Sequence, residues 1–233
     1  MELPFFYIVE YNTLKGDITL DEDTSRHMVQ VLRMKAGEQI NLTDGKGNLL
    51  TCVITEEHKK HCSVAVKQTQ YTEPPKRKVS IAISLLKNSN RFEWFLEKAT
   101  EIGVNEIIPL ICERTEKEKF RYDRMQGICV SAMLQSQQCW LPVLHQPMDF
   151  SRAVTSSAAN QKFIAHCDDG AKNQLTSQSY NQSAIILIGP EGDFTPKEIE
   201  LALTNQFVPV SLGETRLRTE TAGVVAAALL MLA

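Results

Sequence analysis

The chain has 233 residues, of which 43% are hydrophobic and 23% charged, and its formal net charge is −3. This is the composition of an ordinary soluble globular protein, long enough for one large domain or two modest ones with a sizeable core. It excludes a protein that grips nucleic acid through a uniformly basic face, and no apolar run is long enough to span a bilayer.

The first seventy residues alternate like strands. Ile18 and Leu20, Ile40 and Leu42, Cys52 and Ile54, and Val64 and Val66 repeat at a period of two. Turn signals separate them: Lys15-Gly16-Asp17, Ala36-Gly37-Glu38 and Asp44-Gly45-Lys46-Gly47-Asn48. A short helix interrupts the pattern, with Ser25 as its expected cap and Met28, Val29, Val31 and Leu32 as its apolar positions. Residues 1–73 therefore read as a small β-barrel. Glu73-Pro74-Pro75-Lys76-Arg77-Lys78 breaks the pattern, and residues 74–78 read as a linker.

From residue 79 to 233, strands and helices alternate. Strands are expected at Val79–Leu86, Ile107–Ile111, Phe163–Cys167, Ile185–Ile188 and Val208–Leu212. Phe92, Phe95, Leu96, Ala99 and Ile102 mark an amphipathic helix that Gly103 would end, and a second helix is expected over about 121–138. The alternation implies an α/β domain, a mostly parallel sheet with helices on its faces. A final helix, Thr221–Leu232, is apolar on every side and is expected to be buried under the sheet or in a subunit interface.

Residues 76–124 are the only net-basic stretch, with 11 Lys+Arg against 8 Asp+Glu. They are either a local phosphate-binding patch or a solvated helical face. Cys52, Cys62, Cys112, Cys129, Cys139 and Cys167 form no C-x-x-C pair, and no histidine cluster has metal-ligand spacing. They read as reduced thiols of a cytoplasmic protein that needs no metal.

Chemistry concentrates in the last fifty residues. Gly189-Pro190-Glu191-Gly192-Asp193 joins a strand to a helix whose start carries a capping box: Thr195 as cap, Pro196 in the first turn and Glu198 reaching back. The turn is neither a dinucleotide fingerprint nor a nucleoside-triphosphate loop. A second loop, Leu212 to Ala222, runs from a glycine turn through Arg216 and Arg218 into the apolar helix, with Thr219 as an expected cap. Polar groups beside an apolar helix are costly unless paired or bound to something. Both loops sit where an α/β sheet binds ligands, beyond the carboxyl ends of its strands.

The stretches IGPEGDFTPKEIELA and LGETRLRTETA closely resemble the C-terminal signature of the RsmE family, ribosomal RNA methyltransferases of the SPOUT superfamily. The resemblance extends to FEWFLEKATEIGVNEIIPLICERT (residues 92–115) and RHMVQVLRMKAGEQINLTDGKG (residues 26–47). It implies an N-terminal PUA-like β-barrel for RNA and a C-terminal SPOUT domain tied in a deep trefoil knot. It implies a homodimer that uses S-adenosylmethionine to make N3-methyluridine in 16S ribosomal RNA of the small subunit. By position, the resemblance assigns the cofactor to His166, to Ile188, Gly189, Pro190, Glu191 and Gly192, to Ser211, Leu212 and Gly213, and to Leu217, Arg218, Thr219, Thr221 and Ala222.

Beside those loops, Arg218 is the candidate stabiliser of a uracil anion, and Glu220 or Glu101 the candidate base. RNA contacts are expected from Arg33, Lys87, Lys98 and Arg114, with Lys35 and Arg91 as lesser candidates against a reading as plain surface charges. The chain departs from the family where the first loop often ends in two glycines: the second is Asp193 here. Two alternatives stay open, a related knotted methyltransferase for another RNA position and a non-catalytic RNA-binding or ribosome-assembly factor.

Overall fold

Period-two patterning builds the first part of the chain. In the computed structural model, which describes residues 3–12, 16–116, 119–167, 172–177 and 183–232, contacts divide the chain into two units. Met1–Pro74 with Met133–Leu141 form one; Pro75–Ala132 with Pro142–Ala233 form the other. Lys15, expected to open the first turn, lies outside the described residues.

In the first unit, β1 (Phe5–Tyr7), β2 (Asp17–Thr19), β3 (Gln39–Thr43), β4 (Asn48–Glu56) and β5 (Ser63–Tyr71) form one sheet in the order β1-β3-β4-β5-β2. Ile40, Leu42, Cys52, Ile54 and Val64 all point into its core, the alternation read in the sequence. The Asp44-Gly45 turn closes the β3–β4 hairpin. Gly45 and Gly47 hold positive φ there, and Asp44 accepts from the Lys46 and Asn48 amides. Gly47 leaves no room for a side chain: a Cβ would lie 2.7 Å from the Thr72 carbonyl oxygen and 2.7 Å from the Trp140 ring.

The short helix differs from expectation. Helix α1 (Glu22–Arg26) is capped by Asp21, whose carboxylate accepts from the Thr24 amide and hydroxyl. Ser25 is instead buried, donating to the Leu20 carbonyl and accepting from the Cys62 amide. The chain then widens into a π-turn over His27–Val31, with Leu32 N–H donating to the His27 carbonyl. The wider turn rotates the following positions outward. Met28 stays buried while Val31 and Leu32 face solvent.

The second unit alternates as expected: β6 (Lys78–Ser84), α2 (Ser89–Ile102), β7 (Glu106–Ile111), α3 (Tyr122–Gln135), β8 (Val143–Leu144), β9 (Met148–Asp149), α4 (Phe150–Ser156), β10 (Gln161–Ala165), β11 (Asn173–Gln174), β12 (Ser183–Ile188), α5 (Pro196–Thr204), β13 (Val208–Ser211) and α6 (Thr219–Leu232). The sheet runs β11-β13-β10-β12-β6-β7-β8, with β9 also on β7, and every pairing is parallel. Its central strands β6 and β12 are mostly apolar and buried on both faces because helices cover the sheet from both sides, with Ser80 and Ser84 the buried polar positions of β6. On one face Phe150, Val154, Phe194, Ile199 and Phe207 pack against Ala82, Ile164, Ile185 and Leu187.

Helix α6 lies against α2, β6 and β12. Gly103 ends α2 at φ 94°, the left-handed conformation a glycine C′ residue supplies. One face of α6 is buried, through Gly223, Ala226, Ala227 and Leu230. Val224, Val225, Ala228 and Met231 are only half-buried and Leu232 is exposed, so within one chain the helix is not covered all round. Among the described residues no helix is long and apolar enough to cross a membrane, and no group of His, Cys, Asp and Glu side chains could hold a metal ion.

Candidate functional site

Because β7, β6, β12, β10 and β13 are parallel neighbours, their carboxyl ends share one edge of the sheet. The segments leaving that edge are Cys112–Glu116, Leu85–Asn88, Gly189–Phe194, His166–Cys167 and Leu212–Gly213. The two glycine loops and His166 are thus brought to one side of the fold, where open α/β sheets hold ligands.

The turn after β12 is tightly specified. Gly189 and Pro190 are buried, and a Cβ on Gly189 would come within 3.1 Å of the Phe194 ring. The Asp193 amide donates to the Pro190 carbonyl at 2.9 Å, closing a four-residue turn. Helix α5 then starts with its full capping box at Thr195 and Glu198. The Glu198 carboxylate does more than cap: it also accepts from the Glu113 amide at 2.9 Å, tying the segment after β7 to the start of α5. Burial pushes the adjacent Cys112 thiol up to about 12, with the Glu198 charge adding to the effect, so the thiol stays protonated and unreactive.

Basic side chains brace this turn from the other side. Arg114 donates to the Gly192 carbonyl at 2.6 Å, and its stem lies where a side chain on Gly192 would point. Arg91, in the first turn of α2, pairs with Glu191 at 3.0 Å and lies 3.7 Å from Glu220 at the head of α6. Lys87 pairs with Glu116 at 2.7 Å, which raises its pKa.

Glu220 is buried. Its Oε2 accepts no hydrogen bond among the described residues, and Arg91, not Arg218, is the cation near its other oxygen. An unsatisfied buried carboxylate oxygen costs about 1–3 kcal/mol or more, so one at a ligand-binding edge points to a donor arriving from outside. Arg218 is exposed, and its carbonyl accepts the first helical bond of α6, from the Ala222 amide. The helix therefore begins at Thr219, one residue after the position a cap would take. Ser211 stabilises the other loop by donating to the Gly213 carbonyl, with Gly213 at φ 144°.

Other expected site residues lie elsewhere. Glu101 and Lys98 pair with each other at 2.9 Å near the carboxyl end of α2. Ten residues of helix separate Glu101 from Arg91, about 15 Å along the axis. Arg33 is exposed in the first unit, at φ 57°. Sequence reasoning undervalued Arg91, read chiefly as a surface charge, because its two carboxylate partners are 100 and 129 residues away in the chain. The same distance hid the second task of Glu198.

The assembled edge offers a buried carboxylate acceptor, an exposed guanidinium, and a loop that leaves the backbone open to a ligand at Gly213. It suits a ligand carrying both N–H donors or positive charge and carbonyl acceptors.

Comparison with known proteins agrees along the whole length. Residues 72–231 match the family model of an RNA methyltransferase domain, and residues 20–67 that of an RNA methyltransferase PUA domain. The crystal structure of a probable rRNA methyltransferase from Porphyromonas gingivalis superposes with a TM-score of 0.91 at 38% identity, covering 98% of this chain and 97% of that one. The ribosomal RNA small subunit methyltransferase E of Neisseria gonorrhoeae, solved bound to S-adenosyl methionine, superposes with a TM-score of 0.89 at 28% identity, covering 99% and 98%. The Synechocystis protein of the same name is 29% identical over 222 residues, 92% of this chain and 73% of its own length. With its PUA-like unit, its parallel α/β unit and full-length likeness to these enzymes, the chain belongs to the RsmE family of RNA methyltransferases.

Proposed function

We propose that this chain transfers a methyl group from S-adenosylmethionine to N3 of a uridine in 16S ribosomal RNA of the small subunit. The observation that carries the reading is the end-to-end likeness to the cofactor-bound Neisseria enzyme, in a chain that gathers both glycine loops at one sheet edge. The residues fit the cofactor: the loops are open at Gly213, where a Cβ would meet nothing within 4 Å, and Glu220 presents a buried acceptor. His166, Ile188 to Gly192, Ser211 to Gly213 and Leu217 to Ala222 would hold it. When bound, it supplies a methyl group made electrophilic by a sulfonium.

The rest of the work falls to side chains. Uracil N3 carries a proton that must leave before the nitrogen can attack. Glu220 accepts that proton in this reading, in preference to Glu101, which pairs with Lys98 toward the other end of α2. Arg218 donates to a uracil carbonyl and stabilises the anion that forms. Arg33 in the PUA-like unit, together with Lys87 and Arg114 near the site, contacts RNA phosphates and bases. Lys98, near the carboxyl end of α2, is assigned an RNA contact of its own, away from the cofactor loops.

The reading includes a homodimer and a knotted carboxyl terminus. The half-buried apolar side of α6 supports the first. The second is supported by topology: β13 lies outside β10, yet the helix that follows it packs on β6 and β12, so the chain crosses back. Free thiols at all six cysteines accord with a cytoplasmic setting.

Calorimetric titration with S-adenosylmethionine should show one saturable site per chain, with adenosine triphosphate not competing. Absence of cofactor binding would remove the enzyme reading in favour of an assembly factor.

A further inference from the structure

Asp193 stands where the family often has a glycine, and its backbone shows why a glycine would suit: φ is 64°, in the left-handed region. Aspartate tolerates that region better than most residues, because its short polar side chain can bond locally, but still less readily than glycine. Here both carboxylate oxygens are used. Oδ1 accepts from the Phe194 amide at 2.8 Å, and Oδ2 from the Cys167 amide at 2.7 Å. Phe194 is anchored in the core against Phe150, with ring centroids 5.1 Å apart. Cys167 is the second residue after β10, beside His166. One side chain therefore joins the segment after β10 to the turn after β12, and both segments belong to the edge described above.

We infer that Asp193 is a positioning residue that locks the His166–Cys167 segment to the Pro190–Asp193 turn and so preforms the cofactor site. The inference rests on the S-adenosylmethionine reading for its consequence, but the lock itself exists without cofactor. A glycine at this position would keep the turn and lose both bonds. An asparagine would keep the left-handed backbone and one acceptor oxygen, enough for the Cys167 amide, while losing the bond to the Phe194 amide and the charge that strengthens both.

The test uses the full chain with Asp193→Gly and Asp193→Asn, each measured in two ways. Hydrogen exchange of the Cys167 amide in the cofactor-free protein should quicken at least ~10-fold in Asp193→Gly, as the local protection is lost. Calorimetry should show S-adenosylmethionine bound about tenfold more weakly by Asp193→Gly, roughly the loss of one good hydrogen bond, and no more than about threefold more weakly by Asp193→Asn. The kcat at saturating cofactor should change less than about twofold in both, since the effect lies in preforming the site. Unchanged Cys167 exchange in Asp193→Gly would overturn the lock. Quickened exchange with unchanged cofactor affinity would overturn its role in the site. If the unsubstituted protein binds no cofactor, the functional reading fails, and the exchange result still decides whether Asp193 holds the two segments together.

Discussion

Glu220→Gln should lower kcat by about 10²–10⁴-fold while leaving the fold as stable as before. The substitution keeps the shape of the side chain and removes its capacity to accept a proton. Glu220 is buried, with Oε2 accepting nothing and Oε1 3.7 Å from the Arg91 guanidinium. Replacing a buried, half-satisfied carboxylate with an amide relieves desolvation, so no loss of stability is expected. Arg91 keeps its 3.0 Å partner Glu191 in the variant. A single-turnover methyl-transfer assay beside a thermal melt checks both halves. A kcat within about threefold of the parent would remove Glu220 from the chemistry.

Gly223→Val should destabilise the protein by about 3 kcal/mol, the upper part of the range for overpacking a core. Gly223 lies on the buried face of α6, where a Cβ would sit 2.7 Å from one Phe95 ring carbon and 2.8 Å from Ile83 Cδ1. Both of those side chains are fully buried and have nowhere to retreat. Helix α6 must lift away from α2 and β6. Helix propensity works the other way, since glycine is about 1 kcal/mol poorer than alanine within a helix, but the clash outweighs it. For a chain of this size the melting temperature should fall by roughly 6–12 °C. Because Thr219 and Glu220 open the same helix, cofactor affinity should fall as well. A melting temperature within about 1 °C of the parent would show that α2 and α6 can separate freely.

Much of this fold was legible in the sequence where local physics decides. The capping box at Thr195-Pro196-Lys197-Glu198, the Gly103 stop of α2 and the Asp44-Gly45 hairpin all formed as their residue types require. The apolar runs of β6 and β12 fell at the centre of the sheet for the same reason. What was not legible depends on distant partners. Strands β8, β9 and β11 are two residues each and exist only because β7 and β13 accept them at the sheet edges. Residues 133–141 return to the first unit because Trp140 donates to the Thr72 carbonyl and Gly47 leaves space for its ring. No periodicity announces such a contact.

The site shows the same division. Glycines and the two loops mark the edge in sequence, yet the electrostatics are non-local. Arg91 answers to Glu191 and Glu220, Arg114 to Gly192, and Asp193 to Cys167. Cap assignment also failed where a tertiary bond outbid a local one. Ser25 went to the Cys62 amide, leaving Asp21 to cap α1.

The most direct measurement is transfer of labelled methyl from S-adenosylmethionine to small ribosomal subunits lacking the modification, followed by nuclease digestion and mass spectrometry of the labelled nucleoside. N3-methyluridine from 16S ribosomal RNA is the predicted product. Label on any other nucleoside, or no transfer by a protein that binds the cofactor, would contradict the assignment of uracil N3 as the acceptor.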